Sequence, residues 1–209
     1  MLRPTKIIGV GLNYRAHAEE MKKPLPEEPL LFLKPPSAII GPDDPIVRPR
    51  GAWREIHYEG ELAVVIGRRA RRVTRDRALD VVAGFTCMND VTVRELQRKD
   101  VQYTRAKGFD SFAPCGPRVV SGLDASRLRI ETRLNGEVRQ RSTTADMIFD
   151  VPTLIAFVSR VMTLEEGDII TTGTPPGVGP LFAGDIVEVE IEAIGVLRNP
   201  VIEEPEGAS

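Results

Sequence analysis

The chain is short of the features that mark specialised architectures. Only two of its 209 residues are cysteine, Cys87 and Cys115. They form no C-x-x-C pair and are too few for a disulfide framework, so both thiols are expected to be reduced. Cys87 lies in an apolar run and reads as packing, whereas Cys115, between two prolines, is expected to be accessible but without a partner for nucleophilic work. No apolar run approaches the length of a membrane span, and the first residues lack the charged and apolar regions of a signal peptide. The expectation is a cytoplasmic protein with no membrane partner. Neither sign of charge dominates: 28 Lys and Arg face 30 Asp and Glu. With charges interspersed, no nucleic-acid partner is expected. The one basic cluster, 68–72, follows Gly67 and reads as a solvated turn. The glycine-rich stretch 173–180 lacks the Gly-Lys-Ser/Thr ending of a nucleotide loop, which excludes ATP binding on that pattern. No strand-helix repeat is present, so a parallel α/β fold is not expected.

What is present centres on His57-Tyr58-Glu59-Gly60-Glu61, running into the apolar stretch 62–66. As a strand, its period of two puts His57, Glu59 and Glu61 on one face and Tyr58, Leu62, Val64 and Ile66 on the other. Carboxylates two positions apart on a strand lie about 6.6 Å apart and repel by roughly 2.5 kcal/mol at an effective dielectric near 20. Either this is a solvated edge, where such carboxylates are ordinary, or an oxygen-loving divalent cation sits between them.

The length suits one domain over 1–209 with a sizeable core. A strand over 6–10 is followed by Asn13, which reads as the cap of a helix over 14–21. That helix carries His17 and Glu20, spaced three apart, so that the carboxylate can orient the imidazole and raise its basicity. The proline-broken loop 22–29 attaches it, making 13–29 a candidate lid. Lys34 closes an apolar strand over 30–34. A buried strand over 83–88 delivers Asn89-Asp90. Thr92-x-x-Glu95 reads as a capping box, which leaves Asp90 for another task. With the helix extended back, Asp90, Arg94 and Gln97 share one face, placing a carboxylate for a cation beside an arginine for an anion. Lys107 precedes Gly108; alone it reads as an exposed lysine. Asn135-Gly136 marks a hairpin, and Pro152 opens a helix whose apolar stripe is Leu154, Phe157, Val158 and Val161. Short strands, few helices and the absence of repeats predict an α+β, mainly β, roll or sandwich.

Seven motifs in order carry a resemblance: Gly11-Leu-Asn13-Tyr-Arg-Ala-His17-Ala-Glu-Glu20, Leu31-Phe-Leu-Lys34-Pro, His57-Tyr-Glu59-Gly-Glu61, Asn89-Asp90-Val-Thr-Val-Arg94-Glu-Leu-Gln97, Arg105-Ala-Lys107-Gly-Phe-Asp110, Asn135-Gly-Glu-Val-Arg-Gln140 and Thr172-Gly-Thr174-Pro-Pro-Gly-Val-Gly179. Together they resemble the fumarylacetoacetate hydrolase family. The resemblance implies a mixed β-sandwich or roll, a homodimer, and magnesium or manganese held by Glu59, Glu61 and Asp90. It further implies a small 2-oxo acid substrate touched by Arg94, Gln97, Lys34 and Thr174, with Lys107 catalytic and His17 and Glu20 a dyad on the lid. The activity it implies first is hydrolysis of a carbon-carbon bond in a 2,4-dioxo acid of the acylpyruvate or fumarylpyruvate type. Isomerisation of 2-hydroxyhepta-2,4-diene-1,7-dioate or decarboxylation of an oxaloacetate-like acid would use the same residues, and a metal and oxo-acid binding protein is the non-enzymatic alternative.

Overall fold

Short apolar strands dominate the computed structural model, which describes residues 2–51 and 53–206. Seven strands form a mixed sheet in the order Leu30–Lys34, Ile7–Gly11, Ile169–Thr171, Gly60–Ile66, Val82–Asn89, Ala113–Val120 and Ile39–Ile40. Five more follow the order Glu137–Thr143, Arg129–Leu134, Ile186–Ile191, Gly195–Glu203 and Ile46–Arg48. A three-stranded sheet joins Gly179–Pro180, Ile56–Tyr58 and Thr92–Val93. The helices are α1 (Arg15–Glu20), α2 (Arg94–Asp100), α3 (Thr104–Lys107) and α4 (Val151–Val161). The mainly β α+β class read from the sequence is the observed one. No helix among the described residues is long and apolar enough to cross a membrane.

The largest core lies between the two big sheets. Leu62, Val64, Ile66 and Phe85 meet Ile130, Val189, Ile191 and Leu197 there, and α4 closes the side. Every residue of Gly60–Ile66 is buried, because Ala63 on its other face joins a second cluster with Ile7, Met88 and Ile169. In α4 the N-cap Asp150 accepts from the Thr153 N–H at 3.0 Å, and the buried stripe is Val151, Leu154, Ile155 and Val158. Of the residues predicted for that stripe, Phe157 is only partly buried, with Arg160 over its ring at 5.4 Å, and Val161 is exposed. Two overlapping apolar stripes were available, and the cap fixes which one faces inward. The Asn135-Gly136 hairpin is as predicted, with both turn residues in the left-handed region.

Three local expectations are corrected. Asn13 does not cap α1: its side chain instead ties Phe149 and Thr172 through bonds of 2.8 to 3.0 Å. Thr92 and Glu95 form no capping box, since α2 begins only at Arg94 and Glu95 accepts from the backbone of Arg54 and Glu55. Cys115 is buried, not accessible, and burial pushes both thiols up to about 12.

The starts of two neighbouring interior strands of the large sheet, Ile7–Gly11 and Ile169–Thr171, are pinned together by Asp168, whose side chain is fully buried. Its Oδ1 accepts from the Thr5 N–H, the Thr5 hydroxyl and the Lys6 N–H at 3.0, 2.7 and 3.1 Å. Its Oδ2 accepts from the Glu165 N–H at 2.8 Å and pairs with the Lys6 ammonium. Burial opposes ionisation, but these donors hold the carboxyl below the usual aspartate range. Asp168→Ala is expected to lower stability by about 3 kcal/mol at pH 7, measured by urea denaturation. Because the folded pKa lies below the unfolded one, the contribution is full above about pH 4 and shrinks as pH falls through the folded value. The gap between variant and parent should therefore narrow at pH 3.

Candidate metal and substrate site

Strand register builds the site. Gly60 pairs with Asn89, and Glu61 with Met88, so Glu59 and Asp90 are the first residues beyond the last pair. There the Asp90 N–H donates to the Glu59 carbonyl at 2.8 Å, and the Glu59 N–H to Asn89 Oδ1 at 2.9 Å. The period of two is interrupted at Glu59, where the chain leaves the three-stranded sheet for the seven-stranded one. His57 thereby departs from the acidic face: it pairs with Thr92 and Pro180 in the small sheet. Burial and then Arg94 pull its imidazole down to about 4.

Glu59, Glu61 and Asp90 are each at most 6% exposed, which overturns the solvated-edge alternative. Each offers a carboxylate oxygen within 4.8 Å of the others. Glu61 is held by the Thr171 hydroxyl and by the Gly173 N–H at 2.8 Å. Gly173 has φ +92, and a Cβ there would meet the Cβ of Asn13 at 2.8 Å, so the loop reaches Glu61 only with glycine. Burial, Asp90 and Glu59 together push the Glu61 carboxyl well above its ordinary range. Glu59 moves the other way: burial raises it, but Arg94 and Lys107 prevail and hold it far below.

Three cations answer the three carboxylates. Arg94, at the start of α2, pairs with Glu59 Oε1 at 2.5 Å and donates to Gln97 Oε1 at 2.8 Å. Lys107, at the end of α3, is 2% exposed, so the exposed-lysine reading fails. Its ammonium donates to Glu59 Oε2 at 3.0 Å, to Asp90 Oδ2 and to Thr92 Oγ1 at 2.9 Å, and sits 4.6 Å from the Phe32 ring centroid. Burial works against that charge, yet Asp90 and Glu59 keep the ammonium above its ordinary range. Lys34 donates to Asp90 Oδ1 at 2.6 Å and to the Val91 carbonyl at 3.3 Å. It stands behind Asp90 and is not on the cavity wall, where the resemblance put it. Burial pulls its ammonium below the ordinary lysine range.

These groups open into a cavity of about 430 Å³. Of the residues singled out in the sequence, His17, Glu59, Glu61, Asp90, Arg94, Gln97, Lys107 and Thr174 line it. Asp90 precedes α2 and is not part of it, but it still meets Arg94 and Gln97 at this wall. His17 Nδ1 lies 2.9 Å from Glu20 Oε2, and Glu20 Oε1 accepts from the Gly177 N–H at 3.2 Å. The α1 segment is thus fastened across the site. Thr174 donates to the Gly60 carbonyl at 2.9 Å and accepts from Gln140 at 2.8 Å. Gln140 Oε1 in turn accepts from the Gly60 N–H at 3.0 Å. Sequence reasoning took the hairpin bearing Gln140 as structural only. The signal in the sequence was its place at the end of the motif Asn135 to Gln140, while its burial on a largely exposed strand belongs to the fold.

A family model described as fumarylacetoacetate (FAA) hydrolase C-terminal matches residues 6–202. The chain is similar to a 5-carboxymethyl-2-hydroxymuconate delta-isomerase from Mycobacterium smegmatis, with a TM-score of 0.92 and 50% identity over 98% of this chain and 81% of that one. The mitochondrial oxaloacetate tautomerase FAHD2A of Bos taurus is 46% identical over 212 residues, covering 96% of this chain and 67% of that protein. Maleylpyruvate hydrolase from Sphingobium sp. SYK-6, solved with manganese(II) and pyruvate, gives a TM-score of 0.86 at 38% identity, covering 98% and 73%.

Lys34→Met would leave Asp90 short of one buried counter-charge. Stability is expected to fall by about 3 kcal/mol in urea denaturation. A loss under about 1 kcal/mol would show that Lys107 alone balances Asp90.

Proposed function

The chain belongs to the fumarylacetoacetate hydrolase family, and from that premise we propose that it is an enzyme moving a proton at the carbon beside the oxo group of a small 2-oxo acid, a tautomerase or isomerase. The observation that carries this is a buried, all-oxygen acidic triad sharing one cavity with a forked arginine and a histidine that Glu20 orients. The donor set fits a hard divalent ion such as magnesium or manganese. Burial, with Asp90 and Glu59 close by, raises the Glu61 carboxyl, and Glu61 is the member of the triad that no lysine or arginine pairs with among the described residues. Glu59, Glu61 and Asp90 would hold the ion, and a relative crystallised with manganese and pyruvate supports the choice. When bound, it would supply Lewis-acid stabilisation of negative charge on substrate oxygens.

The chain's own residues supply the rest. Lys34, Lys107 and Arg94 balance the three carboxylates, so the frame is near neutral and a divalent ion would leave it positive toward an anionic substrate. Arg94 has donors beyond those spent on Glu59 and Gln97, and its fork matches a carboxylate in two-point contact. Gln97 steadies that fork. Lys107 is a fixed positive charge where an oxygen becomes negative. With Nδ1 turned to Glu20, His17 keeps Nε2 to take up or release a proton at carbon. Glu20 sets the ring's orientation through the 2.9 Å contact.

A second reading keeps the carbon-carbon hydrolysis that the sequence resemblance implied first. It has the same dyad in its favour, since His17 backed by Glu20 is also suited to take a proton from water, and a relative is a maleylpyruvate hydrolase. The tautomerase and isomerase relatives are at higher identity, which is the support for taking proton transfer as the first reading.

The test compares oxaloacetate tautomerisation, followed by ultraviolet absorbance and deuterium uptake, with acylpyruvate cleavage, each with manganese and with chelator. Proton transfer should dominate and should need the metal. Glu61→Gln should lower it by about a thousandfold and His17→Ala by about a hundredfold. Turnover indifferent to chelator and to Glu61→Gln would overturn the proposal. Cleavage dominating over exchange would favour the second reading.

A further inference from the structure

A second cavity shares no lining residue with the one beside the acidic triad. It is a cleft of about 660 Å³ built from two segments: Arg72, Thr74 and Arg75 from the basic turn, and Thr153, Ala156 and Arg160 from α4. The three α4 residues share the helix face opposite the buried stripe of Val151, Leu154, Ile155 and Val158. Ala156, midway along that face, leaves the cleft open. No carboxylate is among the lining residues.

The sequence reads the basic turn as solvated, and its arginines are exposed, but its backbone is fixed. The Arg72 N–H donates to the Ser159 carbonyl at 2.8 Å and the Val73 N–H to the Ser159 hydroxyl at 2.9 Å, and Ser159 is fully buried. Those bonds hold Arg72 at φ 53, in the left-handed region that a residue other than glycine enters at a cost. Arg71 donates to the Ser159 and Arg160 carbonyls at 2.9 and 2.7 Å, so it satisfies the end of α4 and leaves Arg72 and Arg160 free of that task. Arg75 pairs with Asp150, and its Nε donates to Thr153 Oγ1 at 3.2 Å. Among the described residues no carboxylate pairs with Arg72 or Arg160, and Arg160 lies instead over the Phe157 ring.

Three guanidinium groups and two threonine hydroxyls thus line one cleft, on two segments joined through Ser159. Like charges gathered this way repel, and the Asp150 pair is exposed and weak. An anion with more oxygens and more charge than one carboxylate would relieve them, and the guanidinium fork matches phosphoryl oxygens in two-point contact. We infer that this cleft binds a diphosphate group, free or carried by a nucleotide. Recognition here rests on side-chain forks, not on a glycine loop, and is independent of the chemistry at the acidic triad.

The test is calorimetric titration of the whole chain with inorganic pyrophosphate, ADP and citrate, in chelator so that neither probe nor protein holds a divalent ion. The variants are Arg72→Gln, Arg160→Gln, their double, and a control carrying Arg54→Gln with Arg127→Gln, which removes the same charge from exposed positions outside the cleft. Circular dichroism and thermal unfolding check that each is folded, and Arg72→Lys keeps the charge while losing the fork. Pyrophosphate should bind the parent with a Kd on the order of 10 μM at low salt. Each single change should weaken it about fivefold, the double at least about twentyfold and the control less than about twofold, with Arg72→Lys between parent and Arg72→Gln. ADP binding as tightly as pyrophosphate would sustain the site with a nucleotide as its source, and pyrophosphate binding alone would sustain it with the free anion. Absence of binding by both, citrate bound as tightly as pyrophosphate, or equal losses in the double and control variants would overturn the inference.

Discussion

Everything in this molecule bends to the burial of three carboxylates at one point. Removed from water and crowded together, Glu59, Glu61 and Asp90 would destabilise the fold by several kcal/mol apiece unless matched. The chain matches them with Arg94, Lys107 and Lys34, drawn from two helices and a strand. It adds the Gly173 N–H and the Thr171 hydroxyl on Glu61. These partners also divide the labour. Glu59 is firmly ionised between two cations, whereas Glu61 has hydrogen-bond donors but no paired cation. A divalent ion would therefore relieve the least compensated member of the set.

Support for that cluster extends well beyond it. Gln140 ties Gly60 to Thr174, so the outer hairpin holds the strand that carries Glu61. A Cβ on Gly60 would lie 2.0 Å from Thr132 Oγ1, which shows how closely the two sheets approach beneath the acidic residues. Glu20 binds the Gly177 backbone on one side and His17 on the other. The segment read as a lid is thus joined to the loop that supplies Thr174. Contacts of the candidate site and contacts that hold the fold share the same few backbone positions.

Much of this was legible in the sequence because it is local. The spacing of Glu59 and Glu61, the Asn135-Gly136 turn and the His17 and Glu20 pair each depend on neighbours along the chain. What was not legible depends on pairing across it. The break at Glu59 comes from a change of sheet, and the proximity of Asp90 to Glu59 comes from register. Lys34 proved a counter-charge behind Asp90 because its strand lies at one edge of the large sheet, a placement no local pattern encodes. The supposed caps at Asn13 and Thr92 failed for a related reason. Both polar side chains are used in tertiary contacts, with Phe149 and Thr172 in one case and Lys107 in the other. The ordered set of motifs identified the assembled site because it reflects the folded whole.

The parallel pairing of Ile7–Gly11 with Ile169–Thr171 carries a kinetic consequence. It joins segments far apart in sequence, Ile7 pairing with Ile169, and Thr171 from the later segment holds Glu61. Closing so long a loop spends chain entropy before any contact can repay it, so such topologies assemble slowly and late. During synthesis the acidic pocket stays incomplete until the segment carrying Thr171 and Gly173 has emerged. A nascent or truncated chain would expose half-matched carboxylates and apolar edges, prey for chaperones and proteases rather than a partly working catalyst.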